Sequence, residues 1–146
     1  MPAHDWGDPN RRVVEEFRTN GGTVGGMFAG LPLLLLTTVG ARTGRHHTVP
    51  LTYIVDGERY VVAAGAVGAN PAWYHNVLAH PRVTVEVATD VFDATTRIAT
   101  GNERAALFDR YTAEQPQLHS YQAGAARDVP MVVLTPTHSA APEAEW

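Results

Sequence analysis

Two runs of strand-forming residues, Thr48 to Val55 and Arg59 to Ala64, are separated by Asp56-Gly57. An Asp-Gly pair between such runs favours a tight turn, so the two runs pair as an antiparallel hairpin. Arg82 to Val87 and Phe92 to Ile98 repeat the pattern around Thr89-Asp90, with β-branched residues clustered on both sides. Hairpin connections of this kind exclude the regular strand-helix-strand alternation of a parallel sheet. Leu33 to Val39, bounded by Pro32 and Gly40, is a short apolar run that fits a strand buried on both faces. Val129 to Thr135, containing Met131-Val132-Val133-Leu134, completes the set. The expectation is an α+β chain that is mainly β, a six-stranded antiparallel barrel with helices at its periphery.

Helical signals lie between and around these strands. Val13, Val14 and Phe17 recur at helical spacing after Asp8-Pro9-Asn10, which predicts a helix over about residues 9–20 that stops at Asn20-Gly21-Gly22. Asn70 to Ala79 reads as a helix with Asn70 at the cap and Pro71 in the first turn, ended by His80-Pro81. Asn102 to Ala113 reads as a third, with Ala105, Ala106, Leu107 and Phe108 on its core face, and Gln115 to Gly124 as a shorter fourth. About residues 136–146 have the small and acidic composition of a mobile tail. No repeat or linker divides the chain, so residues 1–146 are expected to form one domain.

Composition narrows the chemistry. All eleven Lys and Arg residues are arginine, cysteine is absent, and serine occurs only at Ser120 and Ser139, neither in a G-x-S-x-G turn. Schiff-base lysine and cysteine nucleophiles are excluded, and covalent catalysis by serine has no suitable candidate. A net charge of -4 without a basic stripe argues against nucleic acid as a partner. The amino terminus lacks the pattern of a secretory signal, and Leu31 to Leu36 is too short to cross a bilayer, so a cytoplasmic domain is expected. Peripheral contact with a membrane is left open. The histidines have no metal-ligand spacing, since adjacent His46 and His47 in a strand point to opposite faces and no H-E-x-x-H occurs, so no metal site is expected.

The segment from Thr38 to Thr48 concentrates Gly40, Gly44, Arg42, Arg45, His46, His47 and three threonines between two strands. Glycines let backbone N–H groups approach an anion, and an arginine fork can grip two of its oxygens. An ordinary solvated turn is the alternative reading. Gly65-Ala66-Val67-Gly68-Ala69 leads into the Asn70-Pro71 helix start, either as a second anion or cofactor site or as a plain connector. Trp73 and Tyr74 could wall a planar-ligand pocket or fill the core.

With these segments in view, the chain resembles the deazaflavin-dependent nitroreductase and quinone reductase family. The likeness runs from Glu15-Glu16-Phe17-Arg18 through Gly21 to Gly26, Leu33 to Thr38, Gly40 to Leu51, Asp56 to Val62, Asn70-Pro71-Ala72-Trp73-Tyr74-His75-Asn76 and Pro81-Arg82-Val83. The joint presence of G-x-[RK]-[ST]-G before a strand and N-P-x-W-Y-x-N after a small-residue loop makes it specific. The resemblance implies a split β-barrel that binds the deazaflavin coenzyme F420 and passes its hydride to an electron-poor quinone, enone or nitroaromatic acceptor. It implies that Arg42, Thr43 and Gly44 hold the cofactor's phosphate and glutamyl tail, and that the backbone of Thr48, Val49 and Pro50 lies along the ring. Ala63, Ala64 and Gly65 would meet the ring system, and Pro71, Trp73, Tyr74 and Asn76 would close the site. Tyr121 would line the acceptor pocket and serve catalysis, and Arg127 matches a basic residue before the last strand.

Several positions depart from the family pattern. Ala41, His47, Ala66 and Thr23 stand where relatives commonly carry cations, and Gln115 and Leu118 where acceptor-pocket tyrosines are often found. Each lost charge-assisted hydrogen bond would weaken anion binding by roughly 1.5 to 3 kcal/mol. His47 then becomes a cofactor ligand whose protonation should tighten binding. The alternatives are a non-catalytic binder of a flavin, deazaflavin or lipid-like ligand, and an FMN- or haem-binding relative of the same barrel. A homodimer is the expected assembly.

Overall fold

The computed structural model describes residues 9–26, 29–64, 71–116 and 129–137. In chain order the elements are α1 (Pro9–Thr19), β1 (Leu33–Val39), β2 (His46–Thr52), β3 (Ile54–Asp56), β4 (Arg59–Ala63), α2 (Ala72–Ala79), β5 (Arg82–Val87), β6 (Asp90–Ile98), α3 (Gly101–Glu114) and β7 (Met131–Pro136). The seven strands form one sheet in the order β2-β1-β5-β6-β7-β4-β3, with every neighbouring pair antiparallel.

That order dictates the shape. The two edge strands, β2 and β3, are separated in sequence by Tyr53 alone. A one-residue link cannot cross a flat seven-stranded sheet, because strands lie about 4.8 Å apart. The sheet therefore curls until its edges meet, giving a split barrel. The six expected strands become seven here, because the run Thr48 to Val55 breaks at Tyr53 and continues on the opposite edge, and its first strand starts earlier, at His46.

Period-2 alternation then sorts side chains inward and outward. Leu34 and Leu36 face the interior with Val62, Val83, Val85, Ala94, Val132 and Leu134, all buried, and Trp73 and Val77 of α2 join this core. Leu33 and Leu35 point the other way, under Val14 and Phe17 of α1, so β1 is buried on both faces as its sequence predicts. Leu107 and Tyr111 of α3 cover Val61, Met131 and Val133 on the outside of β4 and β7. Burying one leucine or valine of this kind contributes roughly 1.5 to 3 kcal/mol.

Turns follow local chemistry. Gly57 takes φ 66° in the β3–β4 hairpin, and α1 stops where Gly21 and Gly22 take φ 67° and 104°. A Cβ on Gly22 would lie 2.8 Å from the Cα of Ala88, so only glycine lets this loop rest on the β5–β6 hairpin. In that hairpin Ala88 itself adopts φ 53°, an unfavourable region for alanine. The helix α2 begins one residue later than its sequence suggests, with Pro71 as its cap instead of its first turn. Gln115 ends α3 instead of opening another helix, and the rest of that expected helix, like the expected tail beyond Thr137, lies outside the described residues.

Ion pairs stitch the outer surface. Arg59 and Arg110 both bind the Asp56 carboxylate, Arg97 grips Glu103, and Arg18 makes two hydrogen bonds to Glu86 at 3.1 and 2.7 Å. Burial works to raise the Asp56 carboxyl, but the hydrogen bonds from Arg110 and Arg59 outweigh it and hold it below its ordinary value.

Candidate functional site

The barrel is open along one seam. β3 pairs with β4 only over Ile54–Asp56 and Arg59 to Val61, so beyond Val61 the β3-facing edge of β4 has no strand partner among the described residues, while its other edge stays paired with β7. Among the described residues β2 likewise pairs with β1 alone. β2 and β4 come near one another without forming a ladder. A slot results whose walls are unpaired strand edges, able to offer backbone N–H and C=O groups to a ligand. Thr48, Val49 and Pro50 lie on one wall and Ala63 and Ala64 on the other. Pro50 has no N–H to place in a ladder, which suits it to this edge strand.

At one end of the slot the chain turns from β1 into β2. Gly40 N–H donates to the Arg45 carbonyl at 2.7 Å, Gly44 N–H to the Gly40 carbonyl at 3.0 Å, and Arg45 N–H to Thr43 Oγ1 at 3.2 Å. Gly44 takes φ 73°, and Gly40 is buried beneath the turn. A Cβ on Gly40 would come within 2.8 Å of Thr43 Oγ1, 3.1 Å of His47 Nε2 and 3.3 Å of the Arg45 oxygen. The turn is thus folded tightly over a glycine, with the His47 imidazole against it. Residues 41 to 47 are exposed. Among the described residues no carboxylate pairs with Arg42 or Arg45, in contrast to Arg18, Arg59, Arg97 and Arg110.

The helix α2 joins this turn through Asn76. Its Nδ2 donates to Thr38 Oγ1 at 3.0 Å and its Oδ1 accepts from the Ala41 N–H at 2.9 Å, while the residue itself is buried. Trp73 packs into the barrel interior, and Tyr74 is half-buried beside it. Pro71 leads the helix, its carbonyl accepting from the Tyr74 N–H at 3.0 Å.

The far end of the slot is held by α3. Tyr111 donates to the Thr52 carbonyl at 3.0 Å and lies 2.6 Å from Thr52 Oγ1, and Gln115 Nε2 donates to the Tyr53 carbonyl at 3.1 Å. Burial pushes the Tyr111 hydroxyl up to about 12, with the Thr52 hydrogen bond acting in the opposite sense.

The structure thus gathers Arg42, Thr43 and Gly44 on one turn with the His47 imidazole of β2 against it, joins that turn to Asn76, and places Thr48 to Pro50 on β2 and Ala63 and Ala64 at the end of β4. Trp73 belongs to the core. Tyr121 and Gly65, with Arg127 and Ala66, lie outside the described residues. Gly40 and Thr38 belong to the segment that the sequence singles out, but the bond from Asn76 to Thr38 and the hold of Tyr111 on Thr52 escape a reading of the sequence, because each joins partners brought close only by the fold. A separate groove of about 650 Å³ lies on the outer face, bounded by Arg18, His46, Thr48, His80, Arg82 and Glu86, so His46 and His47 serve different surfaces. Among the described residues no three His, Asp or Glu side chains are placed to hold a metal ion, and no helix is long and apolar enough to cross a membrane.

Comparison with known proteins adds independent findings. The family model described as F420H(2)-dependent quinone reductase matches residues 9–136. An F420H(2)-dependent quinone reductase of Mycobacterium tuberculosis (strain ATCC 25618 / H37Rv) is 34% identical over 125 residues, covering 82% of this chain and 84% of the relative. A solved F420-H2 dependent reductase, FDR-A, is 32% identical with a TM-score of 0.65, over 70% of this chain and 93% of that one. A structure described as a domain-swapped dimer is 29% identical with a TM-score of 0.68, over 91% of this chain and 99% of that one.

Proposed function

The chain belongs to the F420H(2)-dependent quinone reductase family, and from that premise we propose that it reduces a quinone with F420H2, with enones and nitroaromatics as further acceptors. The observation that carries this reading is the turn bearing Arg42 and Arg45, which no described carboxylate pairs, at the end of a slot walled by strand edges that lack a strand partner among the described residues.

The residues present fit such a cofactor. Arg42, Arg45 and His47 would hold its anionic tail, with Thr43 and Gly44 shaping the turn beneath it. Main-chain groups of Thr48, Val49, Pro50, Ala63 and Ala64, continued by Gly65, would bind the edges of a planar ring, with Pro71 and Tyr74 closing over it. When bound, the reduced deazaflavin supplies a hydride, which with a proton converts the acceptor to its hydroquinone and leaves the cofactor oxidised. The protein's part is orientation, because holding ring and acceptor in reactive contact removes much of the entropic barrier. Tyr121 is assigned the hydrogen bond or proton to the developing oxyanion. Residues 1–146 act as one domain in this reading, and a homodimer is its assembly, supported by the relative solved as a domain-swapped dimer.

The test is titration of purified protein with F420H2 followed by a panel of quinones, enones and nitroaromatics, monitoring reoxidation by absorbance. Saturable binding and acceptor-dependent oxidation are expected; neither across the panel overturns the proposal. Gln115 favours a second reading, a cofactor carrier without turnover, because its buried carboxamide is bonded to Tyr53 and supplies no acidic hydroxyl there. Tight binding with no oxidation would select it.

A further inference from the structure

Asn76 has both ends of its carboxamide engaged inside the protein. Nδ2 donates to Thr38, which is fully buried at the end of β1, and Oδ1 accepts from the Ala41 N–H, the first residue of the arginine-bearing turn. We infer that Asn76 is a positioning residue, a clip that locks the Ala41–Arg45 turn to β1 and α2 so that Arg42 and Arg45 are presented to the anionic tail in one arrangement. The inference rests on the proposed cofactor reading and deepens it.

Three observations support a clip over a direct ligand. The two hydrogen bonds span 38 and 35 residues of sequence, so they fix the relation between α2, β1 and the turn, which no local contact does. The rest of the turn is held by its own short bonds, Gly40 to Arg45 and Gly44 to Gly40, which set its shape but not where it sits on the barrel. The arginines it carries are exposed and have no carboxylate partner among the described residues, so their placement depends on the backbone beneath them. A long side chain on an unanchored turn must lose more freedom when it grips an anion, which weakens binding.

Thr38 separates the two roles, because it is fully buried and reaches the ligand only through Asn76. Three variants are compared with the wild type: Asn76→Leu, which removes both bonds, Thr38→Val, which removes one, and Thr38→Ser, which keeps the hydroxyl. Two readouts are taken: fluorescence titration with oxidised F420 in the absence of any acceptor, and limited trypsin cleavage of the apoprotein. Mass spectrometry follows cleavage after Arg42 and after Arg45. One buried hydrogen bond corresponds to a factor of about five in an equilibrium. Thr38→Val should therefore weaken F420 binding about fivefold and speed cleavage at both bonds by a similar factor. Asn76→Leu should exceed it in both readouts, and Thr38→Ser should stay within about twofold of wild type.

Wild-type binding and cleavage in Thr38→Val overturn the inference, and so does unaltered cleavage in Asn76→Leu. If Asn76→Leu fails to fold, the Thr38 pair decides alone. Failure of the wild type to bind F420 at all sinks the cofactor reading instead, and the cleavage rates then show separately whether the clip holds the turn.

Discussion

Replacing Tyr111 by phenylalanine tests how firmly α3 holds the corner from which the slot opens. The ring is buried, and its hydroxyl donates to the Thr52 carbonyl at 3.0 Å and contacts Thr52 Oγ1 at 2.6 Å. Deleting it removes two neutral hydrogen bonds, a loss of about 1 to 2 kcal/mol at pH 8. Burial also raises this hydroxyl from the ordinary 10.0 to about 12, against the smaller lowering by Thr52. A folded value above the unfolded one means that the folded state keeps the proton where the unfolded chain releases it. The stabilisation is complete below about pH 10 and disappears as the pH climbs towards 12. By pH 11 about one pKa interval has been forfeited, close to 1.4 kcal/mol. Tyr111→Phe has no such group, so its deficit against the wild type should shrink from about 1 to 2 kcal/mol at pH 8 to near zero at pH 11. Urea unfolding followed by far-UV circular dichroism at the two pH values measures this. Tyr53, whose hydroxyl burial also raises, is present in both proteins and cancels in the difference. A gap of equal size at both pH values would refute the account of Tyr111 as a shielded latch.

Arg42→Ala and Arg45→Ala should each weaken F420 binding by about 1.5 to 3 kcal/mol, roughly 10- to 100-fold in Kd by titration, without lowering the melting temperature, because neither arginine pairs with a described carboxylate. Gly40→Ala must displace Thr43 Oγ1 and, with it, the hydrogen bond to the Arg45 N–H. A stability loss of about 1 kcal/mol, seen as a lower urea midpoint, and weaker F420 binding should follow. Ala88→Asn places a residue tolerant of positive φ in the β5–β6 hairpin and should raise stability by up to about 1 kcal/mol in urea unfolding.

The strands were legible where their signals are local. Asp56-Gly57 announces the β3–β4 hairpin, and the unbroken apolar run of β1 announces burial on both faces, because each signal concerns neighbours a few residues apart. The break at Tyr53 has no such signal. Thr48 to Val55 reads as one strand, but it breaks at Tyr53. It becomes two strands because β7, which lies more than seventy residues further along, inserts between β6 and β4 and leaves β2 and β3 as the two edges. Gln115 shows the same limit: its place in the sequence suits a helix start, but it ends α3, with its buried carboxamide bonded to a carbonyl 62 residues away.

The site divides along the same line, and the arginines show why. A net charge of -4 argues against a broad basic surface, but it says nothing about the field at one turn, because exposed charges are screened beyond about 8 to 10 Å. What matters there is which acids lie close. Asp56 is held by Arg59 and Arg110, Glu103 by Arg97 and Glu86 by Arg18, so these carboxylates are neutralised at their own stations on the outer sheet and α3. Arg42 and Arg45, at the mouth of the slot, pair with no described carboxylate. The guanidinium pairs an arginine-only inventory favours, planar and often bidentate, lock the acids down more firmly than flexible lysines would. The sequence displays the cations of the turn, whereas the clip through Asn76 and the lack of a carboxylate partner among the described residues become visible only when strands distant in the chain are brought together. An acidic protein can on this account hold an anionic cofactor without any basic patch, provided that arginines which no described carboxylate pairs share one anchored turn.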